Sequence, residues 1–135
     1  SRLDKSLIKL MGELELLTTA NDNLHLTIAL NYGGRDEIVR ATKKISEKVK
    51  LGVLNIDDIT VEMFSNNLDT FDLPDPDLVI RTSGEVRTSN FLPWQCAYSE
   101  YVFEKTNWPD FNNDIYEEIL IEFKNRERRF GAILK

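Results

Sequence analysis

Leu3, Leu7, Leu10, Leu14 and Leu17 recur at intervals of four, three, four and three along the opening of the chain, the repeat of one helical face. They predict an amphipathic helix. After the polar turn TANDN, the run LHLTIALNY (24–32) mixes alternation with β-branched and aromatic residues and stops at Gly33 and Gly34. That pattern predicts a strand feeding a tight turn. Next, RDEIVRATKKISEKVKLG sets Ile38, Ala41, Ile45 and Val49 at helical spacing, opens with acids and ends in lysines and Gly52, a charge order that complements a helix dipole. A short helix is expected in IDDITVEMFSNNL with Asp57 or Asp58 as its cap, followed by a turn through Pro74 and Pro76 into a strand over 77–81. The segment SNFLPWQCAYSEYVF predicts a helix capped by Ser89, its start limited by Pro93, passing into a strand around 101–103. Ile115, Ile119, Leu120 and Phe123 mark one side of a long C-terminal helix closing near Gly131. The resulting order of helices and strands predicts an α/β layered domain with a largely parallel sheet flanked by helices.

Length and charge narrow the function. With 135 residues the chain is one ordinary domain, able to bury roughly two thirds of the surface its unfolded form exposes. The net charge of −6 opposes an electrostatically driven nucleic-acid binder, so nucleic acid is not an expected partner. The single cysteine, Cys96, allows no internal disulfide and no multi-cysteine zinc site; among apolar neighbours it reads as reduced, buried filler. No apolar run approaches the ~20 residues of a membrane span, and SRLDKSLIKL lacks the apolar core of a signal peptide. A cytoplasmic location is expected.

One stretch stands out against this acidic background. RTSGEVRTSNFLPWQ packs two arginines, a glycine turn and several hydroxyl residues into a short span. In a parallel sheet, ligands sit beyond the carboxyl ends of the strands, and Arg81 lies at that end of DLVIR. Gly84 allows a reversal with its amides facing inward, so Arg81 and Arg87 can converge on one anion while Ser89 adds a donor at a helix N-terminus. Arginine suits phosphate because its planar fork binds two oxygens at once. A plainer reading also stands, in which both arginines pair with Glu85 and nearby aspartates and Ser89 only caps a helix. No Gly-Lys-Ser/Thr follows the glycine and NYGGR lacks a dinucleotide fingerprint, so ATP and NAD have no support. In DLPDPD the prolines forbid a regular helix between the carboxylates. Tyr32, Trp94 and Trp108 are read first as aromatic packing, and His25 as structural.

DLVIRTSGEVRTSNFLPWQCAYSEYVF, with LTIALNYGGRDEIV before it and WPDF and NRERRFG after it, closely resembles the cis-prenyltransferases, most of all their bacterial undecaprenyl diphosphate synthase type. The resemblance runs from Ser1 to about Gly131. It implies a homodimeric, Mg²⁺-dependent enzyme that adds isopentenyl diphosphate units to an allylic diphosphate such as farnesyl diphosphate with cis geometry. The product would be the polyprenyl carrier lipid for cell-wall (peptidoglycan) synthesis, which adds a peripheral position at the membrane to the expected cytoplasmic location. By match to the family motif, Arg81, Arg87, Thr88 and Ser89 are expected to bind the isopentenyl diphosphate headgroup, Glu100 to serve the Mg²⁺ site, and Arg129 with Gly131 to reach diphosphate across the dimer interface. Without the family, Glu100 reads as a solvated carboxylate, and Arg126, Arg128 and Arg129 as cations at a helix C-terminus capped by Gly131. In a continuous helix Glu100 would stand roughly 16 Å along the axis from Ser89. A helix ending before Glu100, or a partner subunit, is needed to bring both to one diphosphate.

The family's Asp-Gly-Asn-Gly-Arg-Trp segment, which carries its catalytic and metal-binding aspartate, does not occur in this sequence. The chain therefore reads as the C-terminal portion of a single cis-prenyltransferase domain, 1–135, with no catalytic residue of its own and no turnover by itself. The runner-up is a non-catalytic partner subunit or a diphosphate-binding module.

Overall fold

The computed structural model describes residues 3–126, in two compact units, Ser1–Tyr32 and Gly33–Lys135. In the first unit, helix α1 (Lys5–Thr18) starts where the Asp4 carboxylate accepts the Ser6 amide at 2.8 Å, satisfying one of the orphan donors of the first turn. None of its residues is buried, and Leu7, Leu10, Leu14 and Leu17 all lie exposed. The strand expected over 24–32 does not form. Its alternation is present, with Leu24, Leu26, Ile28 and Leu30 exposed, but no strand among the described residues pairs with it, and a strand exists only through its ladder. His25 lies exposed in the same segment.

The second unit holds the core. Helix α2 (Gly34–Lys50) buries Glu37, Ala41 and Ile45, which lie at i, i+4 and i+8 and so share one stripe. Asp36 and Glu37 in the first turn and Lys48 and Lys50 in the last match the helix dipole, as expected. Gly52 follows in the left-handed conformation (φ 70°), its amide donating to Val49 O at 3.0 Å. Helix α3 (Val61–Ser65) is shorter than expected and takes a different cap. Thr60 Oγ1 accepts the Met63 amide at 3.1 Å, whereas Asp57 and Asp58 belong to a preceding 3₁₀ turn, Ile56–Asp58. Ile59 separates the two in extended conformation.

Strand β1 (Leu78–Arg81) pairs in parallel with β2 (Glu100–Phe103), Leu78 facing Glu100 and Arg81 facing Phe103. The helix expected after Ser89 is absent. Ser89, Asn90 and Leu92 take positive φ (48°, 67° and 44°), which no right-handed helix accommodates, and Pro93 offers no amide. The crossover between the parallel strands is therefore a string of turns rather than the usual helix. Helix α4 (Asn113–Lys124) opens on Asn112, whose side chain accepts the Ile115 amide at 3.1 Å, and has Asn125 as its C-cap, while Gly131, expected near the helix end, lies outside the described residues. Leu68, Cys96, Val102 and Ile119 complete the buried core, so Cys96 is the filler it was expected to be.

Arg40 ties α2 to the chain beyond α3. Its guanidinium grips Asp69 with two bonds of 2.7 and 2.6 Å and Asp36 with a third of 2.8 Å. These bonds hold the Asp69 carboxyl below its ordinary 3.8 and raise Arg40. A lowered folded-state value means the contribution is complete above pH 3.8 and fades as the pH falls through that lowered value. Arg40→Leu is accordingly expected to be less stable than wild type in urea at pH 6, with the gap narrowing towards pH 3. A gap independent of pH would contradict the ionic part of this link.

Candidate functional site

β1 delivers Arg81 to its carboxyl end, and the turns that follow bring the expected donors back to it. Arg81 Nη1 donates to Ser89 Oγ at 2.9 Å and to the Arg87 carbonyl. Among the described residues its Nε and Nη2 have no acceptor, which leaves an edge of the guanidinium fork for a further ligand. Arg87 forms an ion pair with Glu85, as the plainer reading of the sequence expected. Both side chains of that pair are well exposed (60% and 41%), so water screens the pairing and it contributes little stability.

Arg81, Arg87 and Thr88 line a pocket of about 190 Å³ together with Val79, Ile80, Phe91, Tyr101 and Phe103. Its lining thus joins two arginines and a threonine to hydrocarbon and aromatic side chains. Tyr101 and Phe103 stack with centroids 5.9 Å apart, and burial pushes the Tyr101 phenol up. Such a pocket suits an anion joined to a short apolar group, and its volume falls below the ~300 Å³ at which drug-sized ligand sites begin.

The glycine reversal differs from expectation. Gly84 does sit at positive φ (67°), but the amides of Ser83 and Gly84 donate to the carbonyls of Thr106 and Glu104 at 2.9 and 2.8 Å. They extend the strand pairing and are not free for an anion. With no helix after Ser89, no helix N-terminus contributes either. The site rests on side chains.

Glu100 is not brought to the arginines. It opens β2 opposite Leu78, three positions from the Arg81–Phe103 pair, which is roughly 10 Å along the strands. There it accepts Arg126 Nη1 at 2.9 Å, while Arg126 also donates to Tyr101 O at 3.1 Å and pairs with Glu122. The bonds to Glu122 and Glu100 raise Arg126. Mg²⁺ takes one or two carboxylates together with phosphate oxygens and water. Glu100 alone, matched by Arg126 and distant from Arg81, does not make such a site with the arginines. Among the described residues no group of three or more His, Cys, Asp or Glu side chains is placed to hold a metal. Arg129 and Gly131 lie outside the described residues.

Asn90, Gln95, Glu37 and Gly34, none singled out as a site residue in the sequence, tie the segment between β1 and β2 to α2. Asn90 accepts the Gly34 amide through its carbonyl and the Arg35 amide through Oδ1, both at 2.9 Å. Buried Glu37 accepts the Asp69 amide at 2.8 Å and Gln95 Nε2 at 3.2 and 3.3 Å, and Gln95 also reaches Thr70 Oγ1 at 2.9 Å. Gly34 must be glycine, because a Cβ there would lie 2.0 Å from Pro93 Cδ. Trp94 packs on Phe64 (4.5 Å) and bonds Ser65 Oγ at 3.0 Å, whereas Trp108 is exposed beside Phe111, outside any core.

Residues 1–131 match the family model described as "Putative undecaprenyl diphosphate synthase". The chain belongs to this prenyltransferase family. An isoprenyl transferase of Clostridium perfringens is 53% identical over 116 residues, covering 86% of this chain and 46% of its own length. The isoprenyl transferase of Bacillus subtilis is 57% identical over 116 residues, covering 86% and 45%. Among solved structures, lavandulyl diphosphate synthase from Lavandula x intermedia, in complex with dimethylallyl diphosphate, superposes with a TM-score of 0.92 at 39% identity over 97% of this chain and 56% of that one. The prenyltransferase fold therefore confirms the α/β class expected from the sequence. The chain spans about half the length of the curated prenyltransferases it matches. No helix among the described residues is long and apolar enough to cross a membrane.

Proposed function

We propose that this chain carries the isopentenyl diphosphate site of a cis-prenyltransferase, an undecaprenyl diphosphate synthase that extends an allylic diphosphate such as farnesyl diphosphate. The observation that carries the reading is the Arg81 fork, held by Ser89 Oγ and the Arg87 carbonyl and lining a small, mostly apolar pocket. Diphosphate would take the open edge of Arg81 and draw Arg87 from Glu85, with Thr88 and Ser89 adding hydroxyl donors. The five-carbon group would lie on Val79, Ile80, Phe91, Tyr101 and Phe103, where transfer of apolar surface from water favours it.

The remainder of the proposal rests on the family resemblance. It comprises Mg²⁺ dependence with Glu100 as a ligand, a homodimer, diphosphate contacts from Arg129 and Gly131 across its interface, and a polyprenyl carrier lipid for peptidoglycan synthesis made at the cytoplasmic face of the membrane. A partner subunit offers Glu100 a route to a diphosphate that it does not reach in its own chain. Prenyl transfer needs positive charge at the departing diphosphate and a base for the proton lost from the isopentenyl unit. Arg81 and Arg87 hold the isopentenyl diphosphate, whose diphosphate stays on the product, and supply neither, so we propose binding, without chain elongation, for the residues of this sequence alone.

Competition tests the site. Isopentenyl diphosphate is expected to displace inorganic phosphate from the protein and to bind at least about tenfold more tightly, reflecting the apolar contact that phosphate lacks. Equal affinity for the two would reduce the site to a general phosphate binder, and detectable elongation of farnesyl diphosphate by the 135-residue chain would overturn the assignment of binding alone.

A further inference from the structure

Resting on that reading of the pocket, we infer that Asn90 is a positioning residue: it latches the anion-binding loop to the N-terminus of α2 and thereby fixes Ser89 and Arg87 against Arg81. The loop has no secondary structure to hold it. Between β1 and β2 the chain runs through Ser89, Asn90 and Leu92 at positive φ, conformations that are unfavourable for a non-glycine residue and persist only where surrounding contacts over-determine them. Arg81 supplies contacts from the β1 side, to Ser89 Oγ and the Arg87 carbonyl, and Asn90 supplies those from the α2 side. Its carbonyl accepts the Gly34 amide and its Oδ1 the Arg35 amide, each at 2.9 Å, so one residue satisfies two of the orphan amides that open α2.

Asparagine meets both requirements of the position. It tolerates the left-handed region better than other residues with a Cβ, and its amide oxygen is a short acceptor. The latch closes over Gly33 and Gly34: a Cβ at Gly33 would come within 3.2 Å of Asn90 Nδ2, and one at Gly34 within 3.1 Å of Asn90 O as well as against Pro93. The double glycine that precedes α2 thus makes room for the loop. α2 is itself anchored, through buried Ala41 and Ile45 and through Glu37. Ser89, whose Oγ receives Arg81 Nη1, is the residue immediately before the latch. Asn90 need not touch the ligand to set its affinity.

Three variants of the full chain separate the contributions. Asn90→Gly keeps the positive φ and the backbone acceptor but removes Oδ1; Asn90→Asp restores an oxygen acceptor; Arg87→Ala tests the pocket itself. Asn90→Gly is expected to weaken isopentenyl diphosphate binding about tenfold, the size of one lost hydrogen bond transmitted to the loop, and Asn90→Asp to recover most of it. Amide exchange without ligand should be faster at Arg35 and Gly34, which the latch bonds, and at Phe91, whose amide bonds Thr88 O, in the glycine variant, while core amides of α2 such as Ile45 keep wild-type rates. Wild-type affinity and exchange in Asn90→Gly would overturn the latch. If Arg87→Ala leaves isopentenyl diphosphate binding unchanged, the pocket reading fails instead, and the ligand-free exchange rates alone decide whether Asn90 holds the loop.

Discussion

Arg81→Ala is expected to weaken isopentenyl diphosphate binding by about a hundredfold or more, since a fork engaging two phosphate oxygens forfeits two charge-assisted bonds of about 1.5–3 kcal/mol each. Calorimetric titration measures it directly. The loss has a second source, because Arg81 Nη1 also binds Ser89 Oγ and the Arg87 carbonyl, and without it the loop loses a tie to β1. Arg81→Lys should recover only part of the affinity: an ammonium restores the charge but cannot hold the carbonyl, the hydroxyl and two phosphate oxygens in one plane. Thermal unfolding should shift little in either variant. An alanine variant that binds as wild type would show that diphosphate sits elsewhere.

Glu37→Ala is expected to cost about 2–3 kcal/mol of stability, because it strands the buried Gln95 amide and removes the acceptor of the part-buried Asp69 amide, and each unsatisfied buried group costs about 1–3 kcal/mol. The Asp69 amide loses its acceptor, and Gln95 keeps only Thr70. Among the described residues Gln95 Oε1 has no partner, so its amide has little left to hold it. Glu37→Gln retains an acceptor for Asp69 and should recover about half of the loss. Denaturant midpoints compare the three proteins, and an alanine variant within about 1 kcal/mol of wild type would contradict this role for the network.

The two halves of this picture differ in how openly the sequence displays them. β1 and β2 are legible as compact apolar runs, and the buried stripe of α2 as a 3.6-residue repeat. Glu37 shares that repeat with Ala41 and Ile45, so its burial could have been found there, but its charge in the first turn has an equally good explanation in the helix dipole. Arg81, Arg87, Thr88 and Ser89 declare themselves by chemistry and by their place after a strand. Less accessible is the direction of the Gly84 amide, which depends on what the strands do beyond their ends. The missing helix after Ser89 reflects the same limit: a leucine at positive φ, as at Leu92, is set by tertiary contacts against its own propensity. Asn90 binds a residue 55 positions away, and no local pattern encodes such a contact. The unpaired run at 24–32 shows the converse, since alternation marks a segment fit for a sheet without supplying a neighbour.

The central claim is that Arg81, Arg87 and Ser89 together receive a diphosphate. The most direct measurement is a ¹H–¹⁵N titration of the protein with isopentenyl diphosphate, following the guanidinium Nε–H signals of Arg81 and Arg87 and the Ser89 amide. All three should shift with one common dissociation constant, while the indole of exposed Trp108 stays in place. Shifts confined to other regions, with Arg81 and Arg87 unmoved at saturation, would contradict it.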